Sequence, residues 1–192
     1  MNSVDRIKAV FIDRDGTINY EKEYVFRIED FDVIPGALEA LKMLTERGIA
    51  IYVVTNQAGI AKGYYSEEQF HVLTDYMLNY FREKGIVVEE VLYCPHHPEG
   101  LVPEYTKMCE CRKPNTLLIE STIKAKKYSI DEVALIGDKN SDIDAGRKLG
   151  LTTYLVLTGY GSIHQENTKA KYIKPDLLSA VTHLLLNSRN PV

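Results

Sequence analysis

The sequence predicts an α/β protein built on a doubly wound parallel sheet, and two observations predict this fold. Short segments rich in β-branched residues alternate along the chain with segments whose apolar residues recur at helical spacing. This alternation indicates parallel strands joined by right-handed helical crossovers. In addition, acidic or small polar residues follow the ends of several predicted strands, which is where open parallel sheets bind their ligands.

Five extended segments are predicted to form the strands: residues 7–12, 49–54, 87–93, 132–136 and 153–157. The helices between them begin and end at recognisable signals. Pro35 begins the first helix and Gly48 ends it. Ser66 to Gln69 form a capping box for the second helix, which runs to Gly85. Three later helices are predicted: residues 115–128, a helix that ends at Leu149, and residues 176–186.

Two segments interrupt this regular alternation. Residues 19–33 are polar and aromatic without a clear period, so we expect a flap or hairpin beside the site. We expect Glu21, Lys22 and Tyr24 of this segment to contact a substrate, Glu21 and Tyr24 first. Residues 159–169 are predicted to form a loop.

Composition limits the possible classes of function. At 192 residues the chain suits one domain, spanning residues 1–192, with a full hydrophobic core. The net charge of -4 and the lack of a long basic run argue against a nucleic-acid partner. No apolar run approaches membrane-spanning length, and residues 1–6 carry no signal-peptide pattern, so we expect a cytoplasmic protein without a membrane partner. A monomer is expected, with an oligomer as the alternative.

Two carboxylates follow the first predicted strand, in the sequence Asp13-Arg14-Asp15-Gly16-Thr17. Alternate residues of an extended chain point the same way, and two like charges so close require a cation or a shared proton. An Asp-Gly surface turn is the simplest alternative. A calcium loop is excluded because its pattern requires acidic residues where the chain has Phe11 and Lys22. We interpret Asp13 as a nucleophile that attacks phosphorus.

The other predicted strand ends supply the groups that this chemistry requires. Attack of a carboxylate on a phosphate requires a divalent cation between the two anions, and an oxygen-rich site favours magnesium. Asp13 and Asp138 are the expected magnesium ligands, together with the backbone carbonyl of Asp15. Donors for the transferred phosphoryl group are expected from Thr55, Asn56 and Lys113. The Asp15 side chain would protonate the leaving alcohol and then accept a proton from the attacking water.

A second set of metal-binding residue types lies in residues 94–111, which we call the zinc loop. Its pattern is Cys94-x-His96, twelve residues, then Cys109-x-Cys111. Three thiolates and one imidazole fit tetrahedral zinc with no open position, which indicates a structural and not a catalytic site. The symmetry of the two pairs favours His96 over the alternative, His97. The three cysteines of the chain all lie here, so no disulfide framework is expected.

The zinc loop ends next to predicted substrate contacts. Arg112 and Lys113 follow Cys111 directly, so a metal bound by the loop would hold two cations over the pocket. For Lys113 and Lys139 the alternative interpretation is a solvated surface charge. The convergence of several strand-end motifs favours a role in the site for both.

These motifs resemble those of the haloacid dehalogenase-like phosphatases. The resemblance is carried by Asp13-x-Asp15-Gly16-Thr17, Thr55-Asn56-Gln57, Lys113 and Gly137-Asp138-x-x-x-Asp142. It implies a Rossmann-like sheet of the haloacid dehalogenase type without a large cap, with the zinc loop attached. It also implies an aspartyl-phosphate intermediate on Asp13, with Asp15 as acid and base. The implied phosphate or substrate contacts are Thr55, Asn56, Gln57, Arg112, Lys113 and Lys139, and the implied magnesium ligands are Asp13, Asp15 and Asp138.

The zinc loop narrows the resemblance to one part of that family. The sequences Cys94-Pro-His-His-Pro and Cys109-x-Cys111-Arg-Lys-Pro are similar to those of phosphatases for heptose bisphosphates and for histidinol phosphate. This similarity implies zinc on Cys94, His96, Cys109 and Cys111. It also implies removal of the C7 phosphate of a heptose 1,7-bisphosphate, with histidinol phosphate as the alternative substrate. Glu23 departs from the pattern, because it stands where a small residue is expected in the flap, and it adds negative charge near an anionic ligand.

Two alternatives belong to other functional classes. A receiver-type signalling domain also has acidic residues, a threonine and a lysine at strand ends, but its phosphorylated aspartate follows the third strand. This chain has Tyr93-Cys94 at that point, so a receiver domain is disfavoured. A protein that only binds partners through a zinc-organised loop would leave Asp13, Asp15 and Asp138 unexplained.

Overall fold

The computed structural model describes residues 7–188 and confirms the doubly wound parallel sheet. The prediction about a signal peptide concerns residues 1–6, which lie outside that range. Six strands form the sheet: β1 (Ala9–Ile12), β2 (Ala50–Asn56), β3 (Glu90–Cys94), β4 (Val133–Gly137), β5 (Thr152–Val156) and β6 (Tyr172–Lys174). Their order is β3-β2-β1-β4-β5-β6, and all neighbouring strands are parallel.

Helices cover both faces of this sheet. They are α1 (Ala37–Glu46), α2 (Ala58–Ala61), α3 (Glu67–Glu83), α4 (Leu117–Lys126), α5 (Asn140–Lys148), α6 (Gly161–His164) and α7 (Leu177–Ser188). Because successive side chains of a strand point to opposite faces, Val10 and Ile12 pack in the core formed with α1, α3 and α7. Phe11 packs in the core formed with α4 and α5 on the other face. No helix among residues 7–188 is long and apolar enough to span a membrane.

Several element boundaries differ from the prediction. The first helix begins at Ala37 and not at Pro35, because Gly36 is left-handed, with φ of 83°. Residues 161–167, predicted as loop, form α6 and a 3₁₀ turn. The strand β6 was not predicted, since three residues are too few to show a periodic pattern.

Residues 19–33 form a flap and not a hairpin. Within this segment Asn19 makes single bridges to Asp15 and Val33, and residues 28–30 form one 3₁₀ turn. The segment therefore lies beside the carboxyl end of β1 without adding a strand to the sheet.

The strand order determines where the site lies. From β1 the chain adds β2 and β3 towards one edge of the sheet, and it then adds β4, β5 and β6 towards the other edge. Open parallel sheets bind ligands outside the carboxyl ends of the strands at such a switch point, which here lies between β1 and β4. Ile12 of β1 is in register with Ile136 of β4. Asp13 and Asp138 each follow one of these two neighbouring strands closely, so the topology brings the two carboxylates together.

Candidate active site

A cleft of about 690 Å³ opens at the carboxyl ends of the strands. The side chains predicted to act or to bind substrate meet there, except Lys22, which is not in the lining because it forms an ion pair with Asp32 of the flap. Those that line it are Asp13, Asp15, Glu21, Tyr24, Thr55, Asn56, Gln57, Arg112, Lys113 and Lys139. Asp138 lies beneath them and is fully buried.

Lys113 is the central cation of this cleft and is itself buried. Its Nζ donates to Asp13 Oδ1 at 2.7 Å and to the Val54 carbonyl at 2.6 Å, and it lies 2.6 Å from Asp142 Oδ1. Burial alone would lower the pKa of Lys113, but the charges of Asp13 and Asp142 outweigh that effect and raise it. An ammonium group has three hydrogens, so three protein acceptors satisfy it completely.

Three buried carboxylates surround this lysine. Oxygens of Asp13, Asp138 and Asp142 lie within 4.8 Å of one another. Burial, opposed by Lys113, raises the pKa of Asp13 to about 6. Burial and the charges of its two acidic neighbours raise the pKa of Asp138 to about 8. Asp138 Oδ1 is also buried without a hydrogen-bond partner among the described residues. A divalent cation would satisfy this oxygen and offset the repulsion, so these residues fit magnesium.

Two glycines make room for Asp138. A β-carbon on Gly16 would lie 2.2 Å from Asp138 Oδ2, and one on Gly159 would lie 2.3 Å from the same atom. Both glycines have positive φ, at 83° and 54°. The backbone N–H of Tyr160 donates to that oxygen at 2.8 Å. The loop after β5 therefore fixes one Asp138 oxygen and leaves Oδ1 for another partner.

The Asp15 carboxylate is separate from the other three. Its Oδ1 accepts hydrogen bonds from Arg14 Nε, Arg14 Nη2 and Asn19 Nδ2, and its Oδ2 accepts from Arg14 Nη2 and Gln57 Nε2. The prediction that Asp15 binds magnesium therefore applies to its backbone carbonyl and not to its side chain. The side chain is held at the flap side of the cleft.

The polar residues that end β2 have different surroundings from one another. Asn56 donates its side-chain N–H to the Lys113 carbonyl and accepts the Lys113 N–H, both at 3.0 Å. Gln57 donates to Thr55 Oγ1 at 2.7 Å and accepts from the Tyr65 hydroxyl. The Asn56 and Gln57 amides, predicted as substrate contacts, are thus occupied with protein groups. Thr55 Oγ1 accepts one hydrogen bond and retains its own hydroxyl hydrogen for a ligand.

Charged residues from three elements form the mouth of the cleft. Lys139 Nζ donates to Glu21 of the flap at 3.1 Å and lies 4.6 Å from the ring centroid of Tyr160. Lys62 donates to the Tyr24 hydroxyl at 3.0 Å, and this bond raises the pKa of Lys62. Arg112 donates to the His96 carbonyl at 3.3 Å.

Lys62 and Arg112 carry charges that no acidic side chain of the described residues neutralises. Neither forms an ion pair with any carboxylate of residues 7–188. His97 lines the same cleft, and its burial and the charges of Arg112 and Lys62 lower its pKa. The mouth of the cleft is therefore locally positive although the chain is acidic overall.

The zinc loop brings four metal-binding side chains together. The Cys94 Sγ lies 3.5 Å from that of Cys109 and 3.0 Å from that of Cys111. The Nδ1 of His96 lies 3.2 Å from Cys111 Sγ, whereas His97 Nδ1 instead accepts the Glu99 N–H. Tetrahedral ligands at about 2.3 Å from zinc are separated by about 3.8 Å. The sulfurs lie closer together than that, but the four donor atoms all lie within 4.8 Å of one another, and three thiols with one imidazole are a donor set that fits zinc. His96, and not His97, belongs to this cluster.

Sequence reasoning missed three residues of the site. Arg14 lies between two acidic residues in an otherwise apolar strand end, where a charge requires a partner. Asp142 belongs to the quoted Gly137-Asp138-x-x-x-Asp142 motif but was given no role. Lys62 has no sequence signal, because its approach to the cleft depends on the short helix α2 and on the flap.

Comparison with known proteins agrees with this geometry. Residues 110–181 match a family model described as HAD-hydrolase-like. A D-glycero-alpha-D-manno-heptose-1,7-bisphosphate 7-phosphatase of Photorhabdus laumondii is 48% identical over 81% of this chain and 86% of its own length. A D-glycero-beta-D-manno-heptose-1,7-bisphosphate 7-phosphatase of Haemophilus ducreyi is 40% identical, over 92% and 98% of the two chains.

A solved structure has the same fold over nearly its whole length. It is the D,D-heptose 1,7-bisphosphate phosphatase of B. bronchiseptica, complexed with magnesium and phosphate. The TM-score is 0.85 at 26% sequence identity, over 94% of this chain and 99% of that one. The fold, the family-model match and the relatives at 40–48% identity confirm the resemblance seen in the motifs. The chain belongs to the haloacid dehalogenase-like hydrolase family, among its phosphatases.

Proposed function

We propose that this chain is a magnesium-dependent phosphatase that removes the C7 phosphate of a D-glycero-D-manno-heptose 1,7-bisphosphate. The observation that carries the proposal is the arrangement of the cleft. Its floor holds Asp13, Lys113 and Asp138 at the switch point of the sheet, and its mouth holds the unneutralised cations Lys62 and Arg112. The names of the relatives at 40–48% identity support the substrate.

In the first step Asp13 attacks the phosphorus of the C7 phosphate. Lys113 binds its Oδ1, which fixes the carboxylate and leaves Oδ2 to form the new oxygen–phosphorus bond. The phosphorus–oxygen bond to C7 breaks, and the departing oxygen takes a proton from Asp15. Magnesium bound by Asp13, Asp138 and the Asp15 carbonyl would neutralise charge on the phosphoryl oxygens. Thr55, which retains its hydroxyl hydrogen, would donate to that charge, and the buried ammonium of Lys113 would stabilise it through its positive charge.

In the second step water attacks the phosphorus of the aspartyl phosphate. Asp15, now ionised, accepts a proton from that water. The bond between phosphorus and Asp13 breaks and releases inorganic phosphate. The carboxylate of Asp13 is thereby regenerated, so the net reaction consumes one water and yields one sugar alcohol and one phosphate.

The zinc loop has a supporting role in this proposal. Zinc on Cys94, His96, Cys109 and Cys111 would fix the backbone immediately before Arg112, and with it the direction of the guanidinium group. Three reduced cysteines fit a metal site in a reducing compartment. We accordingly propose the cytoplasm as the location and a small-molecule sugar phosphate as the partner.

The mouth of the cleft favours a bisphosphate over a monophosphate. A second phosphate on the far end of the substrate would meet Lys62 and Arg112, which have no carboxylate partner among the described residues. Charge-assisted hydrogen bonds to phosphate are among the strongest polar contacts, because the donor and the acceptor both carry charge. Histidinol phosphate would instead bring its cationic amine towards these two cations.

Glu23 is the observation that favours histidinol phosphate as a second candidate. It lines the same cleft in the left-handed region, with φ of 53°, and its carboxylate would attract an amine. Glu23 is an exposed residue of the flap, so solvent screens its charge more than the charges deeper in the cleft. The heptose bisphosphate therefore remains the first candidate.

Steady-state kinetics with both substrates test the proposal. We expect kcat/KM for the heptose 1,7-bisphosphate, assayed as both anomers with magnesium, to exceed that for histidinol phosphate by at least about 100-fold, the value of one strong charged contact. Lys62→Met should raise KM for the bisphosphate about tenfold. Lys107→Met, an exposed lysine of the zinc loop outside the cleft lining, is the matched control. Preference for histidinol phosphate would overturn the substrate assignment.

A further inference from the structure

We infer that Arg14 is a positioning residue for the acid–base step, because it holds the Asp15 carboxylate in one orientation. The inference rests on the role proposed above for Asp15. Arg14 is not itself a lining residue of the cleft, and Asp15 is the one lining residue among those described to which its guanidinium group hydrogen-bonds, so it would act through Asp15.

The contacts of Arg14 are those of an orienting group. Its Nε and Nη2 donate to the two oxygens of Asp15 at 2.9–3.1 Å, which is a two-pronged contact that fixes both the position and the plane of a carboxylate. Nη2 also donates to the Val25 carbonyl of the flap at 2.8 Å, and the guanidinium carbon lies 5.8 Å from the centroid of the Phe70 ring. The flap and α3 thus hold Arg14, and Arg14 holds Asp15.

A purely structural explanation accounts poorly for an arginine at this position. Arg14 is only 1% exposed, and its Nη1 is buried without a partner among the described residues. A buried ion pair of this kind is often no more stabilising than an apolar side chain of similar volume. Asp15 is the one carboxylate of residues 7–188 that Arg14 pairs with. An apolar side chain of similar volume could fill the space of Arg14, but it could not orient that carboxylate.

Orientation matters here because Asp15 has two tasks at the same phosphorus. It must give a proton to the leaving oxygen and later take one from water, and each transfer requires hydrogen-bond reach of about 2.6–3.2 Å. Asn19 and Gln57 contribute one neutral donor each. Among the described residues Arg14 supplies the one charged donor to Asp15, and it contacts both oxygens, so its loss would leave each oxygen with a single neutral donor and the carboxylate less firmly oriented.

The test compares leaving groups. Asp15 as an acid matters for a sugar alkoxide and little for 4-nitrophenolate, which leaves without a proton. The measure is kcat/KM, which reports phosphoryl transfer to Asp13 and not the later attack of water that both substrates share. We expect Arg14→Met to lower kcat/KM for the heptose bisphosphate by about tenfold to 100-fold, part of the range of acid–base assistance, and kcat/KM for 4-nitrophenyl phosphate by less than about threefold. Phe70→Leu alters packing on Arg14 but removes no hydrogen bond to Asp15. It should therefore lower kcat/KM for the two substrates by the same factor.

A double variant separates this inference from the proposed function. Asp15→Asn should lower kcat/KM for the sugar phosphate selectively, and adding Arg14→Met to it should cause no further loss of kcat/KM. If Asp15→Asn lowers kcat/KM equally for both leaving groups, the acid role of Asp15 itself is wrong. If Asp15→Asn is selective but Arg14→Met is not, or if the two losses multiply, Arg14 is structural and the inference is overturned. Thermal unfolding of each variant establishes that it is folded.

Discussion

Replacement of Lys113 by methionine tests the electrostatic balance on which the cleft depends. Lys113→Met removes the cation that lies within 2.7 Å of both Asp13 and Asp142. Both carboxylates then remain buried without their nearest counter-charge, and Asp13 keeps only the weaker effect of Lys139. Loss of one partner of a buried ion pair costs about 3–5 kcal/mol, a large share of the 5–15 kcal/mol that is typical of a whole domain.

The size of this loss should depend on pH in a direction that follows from the structure. With Lys113 in place, burial already raises the pKa of Asp13 to about 6. Without the lysine, the folded state holds its protons more tightly still, while the unfolded state releases them near pH 4. The folded state then binds more protons than the unfolded state, so its stability falls as pH rises. We expect a free-energy loss of about 3–5 kcal/mol at pH 8 and a loss smaller by at least 1 kcal/mol at pH 6.

Urea unfolding in magnesium-free buffer, with zinc retained, measures both values. Lys42→Met, an exposed lysine on α1, is the control and should change stability by less than about 0.5 kcal/mol. Adding Asp142→Asn to Lys113→Met should restore part of the stability, because it removes one of the two unpaired charges. Equal losses at pH 6 and pH 8 would refute this reasoning.

Two further predictions concern the metals. Magnesium binding should tighten about tenfold per pH unit between pH 6 and pH 8, because magnesium displaces the proton that Asp138 holds with a pKa of about 8. Calorimetry that finds equal magnesium affinity at pH 6 and pH 8 would contradict this. Removing zinc should raise KM for the bisphosphate several-fold, because the zinc loop positions Arg112, and should change magnesium affinity less than threefold. A zinc-free, folded protein with an unchanged KM would contradict the role proposed for the loop.

The sequence was sufficient to predict the position of the site, because two physical regularities determine it. Parallel strands bring their carboxyl ends to one edge of the sheet, so Asp13, Thr55 and Asp138 had to approach one another. The pattern of cysteines and histidines in the zinc loop lies within one short segment. Its four candidate ligands could therefore be identified without the fold. In both cases a short stretch of sequence is enough to identify the residues.

Side-chain directions could not be predicted, because they depend on contacts between distant segments. The Asn56 amide binds the backbone of Lys113, 57 residues away, and Lys62 reaches the flap through the Tyr24 hydroxyl. The burial of Arg14 depends on Phe70 and Val25 together. A motif identifies such residues by type, whereas only the packed structure determines which atoms face the substrate and which face other residues.

Chemical trapping of the intermediate tests the central claim, that Asp13 is the nucleophile. The enzyme is mixed with substrate and magnesium, quenched within milliseconds and treated with borohydride, which reduces an aspartyl phosphate to homoserine. Peptide mass spectrometry is expected to find homoserine at position 13, and none in Asp13→Asn. Reduction at Asp15 or at Asp138, or full turnover by Asp13→Asn, would contradict the mechanism.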